Sequence, residues 1–312
     1  MKKLVLKNQS YEYLQKGFAE WLDILGYSQM SVYNMPNLIR EFLHHLESQQ
    51  VQTINTLTQK HIKNYYNHIN NRSNQRRGGG LSNNYLNKHL QAIEKFLEYL
   101  NHKGVQHVPT IGIKQHKLNR AAITILTPEQ IKHLYKATEQ ETEHPKQEAL
   151  NARDRTLLTI YYGCGLRRNE GVHLELNDIN LDNRTLHVRK GKNYKQRLVP
   201  FNKTNAAYLQ DYIYNHRPVL TKDKRESRLF ISVTGRPITG DTLYHRLLSL
   251  QLITGDTDLQ QKHLTLHNLR HSIATHLLQA GMNLEKISRF LGHSSLESTQ
   301  IYTHLVEQDE QL

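Results

Sequence analysis

His267-Asn268-Leu269-Arg270-His271-Ser272-Ile273-Ala274-Thr275-His276, then Leu291-Gly292-His293-Ser294-Ser295-Leu296, then Gln300-Ile301-Tyr302-Thr303-His304, is the stretch on which the reading of this chain turns. It falls in helical patterns near 266–280, 284–291 and 296–304. Two further helical patterns lie near 204–215 and 240–250. Before them comes a short β region: Ile179 to Leu181, a turn at Asp182-Asn183, Thr185 to Arg189, a turn at 191–194, and Arg197 to Val199. A helix around 148–162 ends at Gly163-Cys164-Gly165 and leads into Gly165-Leu166-Arg167-Arg168-Asn169-Glu170. Thr127-Pro128-Glu129-Gln130 opens this half of the chain with a cap residue, proline at the first helical position and glutamine three residues after the cap.

The N-terminal half reads as four helices. Tyr11, Leu14, Phe18, Trp21 and Leu22 recur at helical spacing, as do Leu38, Ile39, Phe42, Leu43 and Leu46. Pro36 is expected to kink the second helix or delay its start. A third pattern follows Thr58, and Ser82 can cap a fourth that stops near Gly104. Residues 105–123 have no clear periodicity and read as a linker. The length of 312 residues suits two domains at roughly 150 residues each. The expected boundaries are 1–108, a linker over 109–123, and 124–312.

Lys+Arg 41 against Asp+Glu 28 gives a net charge of +13. Residues 1–120 hold 16 basic and 7 acidic side chains, so the first half carries most of the field. Such a field suits a polyanion, most simply nucleic acid. Arg72, Arg76 and Arg77 stand in a glycine-rich loop that reads equally as a phosphate contact or as a solvated charge run. No apolar run approaches the ~18 residues needed to span a bilayer, and neither a signal peptide nor a membrane partner is expected. Cys164 is the single cysteine, which excludes an intramolecular disulfide and a cysteine-based zinc site.

Singly, the motifs are weak; an HxxR pair should arise about once by chance in a chain this rich in histidine and arginine. Their conjunction fits phosphoryl transfer without a metal. Two guanidiniums stay charged and offer planar forks of donors to the non-bridging oxygens. A tyrosine hydroxyl can attack phosphorus and store the bond energy as a phosphotyrosine ester. An imidazole can accept the phenolic proton or donate to an oxygen, and a lysine on a β-turn can protonate the departing 5′ oxygen. No nucleotide cofactor is needed.

The motifs quoted above resemble those of the tyrosine recombinases of the phage-integrase family, in wording and size the XerC/XerD type, over essentially the whole chain. The resemblance implies a mainly α fold: a helical, SAM-like core-binding domain, then a mostly helical catalytic domain with a small antiparallel β-sheet. It implies Arg167 and Arg270 as the phosphate clamp, Lys192 as general acid, and His267 as general base or phosphate donor. His293 becomes the second phosphate donor, Tyr302 the nucleophile, and Glu170 the support of the first arginine. The lysine turn departs from the usual wording, which leaves Lys190 and Lys195 as alternatives to Lys192. The implied partner is double-stranded DNA with inverted-repeat core sites, bound by a dimer per site and a tetrameric synapse, with a second recombinase as a further expected partner. Cofactors are expected to be none, and the location cytoplasmic and nucleoid-associated. Ten residues follow Tyr302, short for a tail that docks into a neighbour.

Blander readings stand beside these. His267 and His271, four apart on a helix, could be a metal pair, but no acid or cysteine completes the site and Arg270 between them would repel a cation. His271 and His276 read as structural or phosphate-side packing residues, and Cys164 as a small buried filler. Arg184, Arg189, Lys190, Lys192, Lys195 and Arg197 form either a solvated hairpin or one laid along DNA, with Arg189, Lys190 and Lys195 the expected contacts. The competing functions are a type IB topoisomerase, which would relax supercoils, and a catalytically silent DNA-binding accessory protein.

Overall fold

The computed structural model describes residues 4–74, 78–117, 123–189, 196–223, 225–293, 296, 298–300, 302 and 303. The chain divides into two compact units, Met1–Ala121 and Ala122–Leu312.

The first unit holds α1 (Gln9–Ile24), α2 (Gln29–Ser48), α3 (Gln59–Asn71) and α4 (Asn83–His102). Asn8 caps α1 and Ser82 caps α4, each side-chain oxygen accepting backbone N–H groups that have no partner inside the helix. Each helix turns one apolar stripe inward, and Phe18, Phe42, Tyr65, Phe96 and Tyr99 fill the centre. Pro36 neither delays α2 nor ends it, because the Ser28 cap starts the helix seven residues earlier. The proline is buried, and its carbonyl accepts a hydrogen bond from Gln15 Nε2 at 3.0 Å. Part of the stretch read as a linker packs on this unit through Val105, Val108, Ile111 and Ile113. Asn87 fixes it by exchanging hydrogen bonds with both backbone groups of His116, each at 2.9 Å.

The second unit begins with α5 (Pro128–Lys136), where Thr127 and Gln130 form the reciprocal cap that their spacing predicts. Then come α6 (Pro145–Leu158), α7 (Arg168–Val172), and β1 (Ile179–Asn180), β2 (Thr185–Val188) and β3 (Arg197–Pro200). The strands form an antiparallel meander in the order β1-β2-β3, with Leu186 opposite Val199 and Val188 opposite Arg197. The chain continues through α8 (Lys203–Asp211), α9 (Arg217–Leu220), α10 (Gly240–Ile253), α11 (Thr257–Gln261), α12 (Leu266–Gln279) and α13 (Leu284–Leu291). A large core gathers around Leu157, Ile160, Tyr161, Tyr212, Phe230 and Leu269. A smaller cluster of Ala274, Ile287, Leu291 and Tyr302 joins α12, α13 and the tyrosine. In the last expected helix, 298–300, 302 and 303 are helical, and its other residues lie outside the described ones. The fold is mainly helical with one small antiparallel sheet.

Candidate active site

Three backbone features bring the site together. The first is the end of α6, which widens into an i→i+5 turn over Thr159–Gly163, closed by Cys164 N–H donating to Thr159 O at 2.9 Å. Gly165 follows at φ +60°, and a Cβ there would lie 3.0 Å from both Leu291 and Phe290 side-chain carbons. Only glycine lets this turn approach α13 so closely. The second is α12, whose spacing puts His267, Arg270 and His271 on one face. The third is the C-terminus of α13, closed by Gly292 in the left-handed conformation at φ +66°.

The unpaired carbonyls at that helix end become acceptors for three guanidiniums. Arg270 donates from Nη2 to Leu291 O at 2.7 Å and from Nη1 to Gly165 O at 2.6 Å. Arg167 donates from Nη2 to Gly292 O at 3.0 Å, and Arg197 from Nε to Phe290 O at 3.0 Å. One carboxylate serves all three. Glu170 accepts from Arg167 Nη1 at 2.8 Å and from Arg197 Nη1 and Nη2 at 3.1 and 3.0 Å, and it stands 3.9 Å from Arg270. Burial works to raise the Glu170 pKa, but Arg197 and then Arg167 outweigh it and bring the carboxyl down to about 2. Burial, followed by Arg167, lowers Arg270 to about 9, so it remains a cation at neutral pH.

Around the guanidiniums stand three imidazoles and a phenol. Tyr302 is 1% exposed, and its hydroxyl lies 3.0 Å from His271 Nδ1. The His293 ring stacks on Tyr302 at 6.3 Å between centroids, and its Nδ1 lies 2.8 Å from Thr299 Oγ1. Burial and Arg270 hold His267 below its ordinary pKa. His271 is lowered to about 4 by burial and then His267, and His293 to about 4 by burial and then Arg270. All three are neutral at pH 7. Tyr302 is pushed upward by burial, which Arg270 and Arg167 oppose. A cavity of about 270 Å³ is lined by Arg167, His267, Arg270, His271, His293, Ser298 and Tyr302.

Five of the expected site residues, Arg167, His267, Arg270, His293 and Tyr302, thus share one cavity, with Glu170 beneath it. Lys192 and its alternatives Lys190 and Lys195 lie outside the described residues, as do Arg76 and Arg77. Arg72 is half-buried and paired with Glu41. Arg189 is paired with Glu175 at 2.8 Å and Asp178 at 2.6 Å, so the hairpin is less uniformly cationic than its sequence implies. Cys164 is buried, and burial pushes its thiol up to about 12. Among the described residues, no three His, Cys, Asp or Glu side chains are placed to hold a metal.

The sequence profile of the Phage integrase family matches residues 124–309. The chain is a tyrosine recombinase of the phage integrase family. A relative named Tyrosine recombinase XerD, from Proteus mirabilis, is 35% identical over 217 residues, which cover 69% of this chain and 66% of the relative. Another of that name, from Staphylococcus saprophyticus, is 33% identical over 228 residues, 72% of this chain and 73% of the relative. The chain thus spans about two thirds of the first relative's length. In fold it is similar to the XerH site-specific recombinase solved in a post-cleavage complex with palindromic difH substrate. That likeness has a TM-score of 0.70 at 20% identity and covers 99% of this chain and 89% of the other.

Within this tyrosine recombinase, two residues have partners that the sequence does not display. Arg197, grouped in the sequence with the basic side chains of the hairpin, sits on the buried face of β3 with Val199 and ties Glu170 to α13. Strand alternation carries that signal, since an arginine two residues before a buried valine needs an acid partner. His271, expected as a structural or phosphate-side packing residue, stands in the cavity with its Nδ1 at the Tyr302 hydroxyl. Its signal is the single helical turn separating it from His267.

Proposed function

We propose that this chain exchanges DNA strands at specific sites through a covalent 3′-phosphotyrosine, passing through a Holliday junction. The observation that carries the reading is the burial of Tyr302 in one cavity with Arg167 and Arg270. Tyr302 Oη attacks the scissile phosphorus. Arg167 and Arg270 hold the non-bridging oxygens, where their fixed charge stabilises the additional negative charge of the transition state. Neutral His267 and His293 donate N–H bonds to the same oxygens, and Lys192 protonates the departing 5′ oxygen. Glu170, held by Arg197, sets the position of Arg167. The names of the relatives favour strand exchange over relaxation of supercoils, and the assembled cluster favours chemistry over a silent DNA-binding role.

In this reading residues 1–108 form the core-binding domain, 109–123 the linker and 124–312 the catalytic domain. The DNA carries inverted-repeat core sites, each bound by a dimer, and two dimers synapse as a tetramer, with a second recombinase as a candidate partner. The protein works in the cytoplasm at the nucleoid; among the described residues no helix is long and apolar enough to cross a membrane. The net charge of +13 supports association through phosphates, which weakens as salt rises.

The test is covalent capture. Nicked duplexes with randomised half-sites around a central spacer are incubated with the protein, and DNA that stays attached after denaturation is sequenced. Recovery of an inverted-repeat consensus by the wild type, and of nothing by Tyr302→Phe, is the expected result. Failure of the wild type to capture any duplex overturns the reading.

A further inference from the structure

We propose that His271, rather than His267, takes the phenolic proton of Tyr302 as its oxygen attacks phosphorus, an inference that rests on the strand-exchange reading above. The geometry separates the three imidazoles. His271 Nδ1 lies 3.0 Å from Tyr302 Oη, the one hydrogen bond to that hydroxyl among the described residues. His293 lies along the tyrosine ring with its Nδ1 engaged by Thr299. The His267 ring stands 6.5 Å from that of His271 between centroids, and among the described residues no hydrogen bond joins it to Tyr302. Tyr302 is almost wholly buried, so its hydroxyl must find an acceptor within the protein.

The step balances without any further reagent. In the tautomer with its proton on Nε2, His271 presents the Nδ1 lone pair to the Tyr302 O–H. As the Oη–P bond forms, the proton passes to Nδ1 and leaves an imidazolium. The P–O5′ bond breaks, and the 5′ oxygen takes a proton from the general acid. On rejoining, the 5′ hydroxyl returns its proton to that acid as it attacks phosphorus. The Oη–P bond then breaks, and the imidazolium restores the phenol. Electrostatics fit the timing. In the anion-free site, burial, His267 and Arg270 keep His271 in its neutral, accepting form. A phosphodiester between Arg167 and Arg270 adds negative charge beside the ring and favours the imidazolium when the proton arrives. His267 is then left to serve the phosphate oxygens.

The experiment uses the duplex recovered by covalent capture, prepared also with sulfur in place of the bridging 5′ oxygen. A thiolate leaves without being protonated, so the sulfur duplex removes the need for the general acid but not for the proton acceptor. His271→Ala and His271→Asn should each form the covalent adduct about 10²–10⁴-fold more slowly than the wild type, on both duplexes. Asparagine keeps a hydrogen-bonding group near the place of Nδ1 but cannot take the proton, so a purely positioning role would leave His271→Asn active. Both variants should bind the duplex as the wild type does and melt within a few degrees of it. Cleavage by His271→Asn within a few-fold of the wild type overturns the inference, and so does rescue of His271→Ala by the sulfur duplex. A wild type that forms no adduct instead overturns the strand-exchange reading.

Discussion

Replacing Glu170 by glutamine should destabilise the second unit by about 3 kcal/mol at pH 7, with a pH dependence that identifies the cause. The carboxylate is 6% exposed, so water screens little of its interaction with Arg167 and Arg197. Folding carries its pKa from 4.5 to about 2, and at about 1.4 kcal/mol per unit this corresponds to about 3 kcal/mol of stability. Breaking a buried ion pair from one side gives the same order, about 3–5 kcal/mol. Because the folded pKa is depressed, the stabilisation is complete above the unfolded value of 4.5 and disappears as pH falls toward 2. Urea unfolding of wild type and Glu170→Gln, followed from pH 7 to pH 2, should therefore show a wide gap that closes between pH 4.5 and 2. A gap under about 1 kcal/mol at pH 7, or one that stays constant to pH 2, would refute the view that this carboxylate anchors the guanidiniums.

Three further outcomes follow from the same geometry. Arg197→Ala removes both bonds to Glu170 and the bond to Phe290 O, and should cost about 3 kcal/mol in urea unfolding and slow adduct formation. Gly292→Ala places a Cβ 2.7 Å from Arg197 Nη1 and 2.8 Å from its Cδ at φ +66°, so it should lower stability by about 1–2 kcal/mol and displace Arg197, visible as a lower melting temperature and slower cleavage. His271 and His293 are held neutral in the folded protein with pKa values of about 4, so the unfolded chain binds more protons between pH 6.5 and 4. Stability should fall as pH drops through that window, and His271→Asn should flatten the fall measured by urea midpoint.

Much of this was legible because it is local. The reciprocal cap of Thr127 and Gln130, the Ser82 cap and the i, i+3, i+4 face of α12 each depend on residues within one turn, and sequence spacing states them directly. The buried cluster of Arg167, His267, Arg270, His293 and Tyr302 was legible as motifs. What escaped was long-range or competitive. Pro36 sits inside α2 because the Ser28 cap and burial of the proline outweigh one lost backbone hydrogen bond, a balance that no local pattern displays. Arg197 reaches Glu170 across 27 residues and Phe290 across 93, so its role depends on which strand face turns inward against α13. Which histidine meets Tyr302 is likewise decided by the packing of Ala274, Ile287 and Leu291 around the tyrosine.

The sharing of Glu170 explains why the cavity suits an anion. Three guanidiniums against one carboxylate leave the cluster with two net positive charges while the histidines are neutral. A separate carboxylate for each arginine would hold all three just as firmly but cancel the field that a phosphate needs. Carbonyls at Gly165, Leu291 and Gly292 solve this by fixing the guanidiniums with partial charges only. A guanidinium has five N–H groups, and these carbonyls take two from Arg270, so its orientation is set before any ligand arrives. A phosphodiester brings one negative charge into this field, and its transition state spreads further charge over the oxygens. The residual positive charge therefore stabilises the transition state more than the ground state, which is the condition for accelerating the reaction. Burial first, and this field behind it, keep the imidazoles neutral at rest, so a histidine free to accept a proton stands beside arginines already oriented for the phosphate.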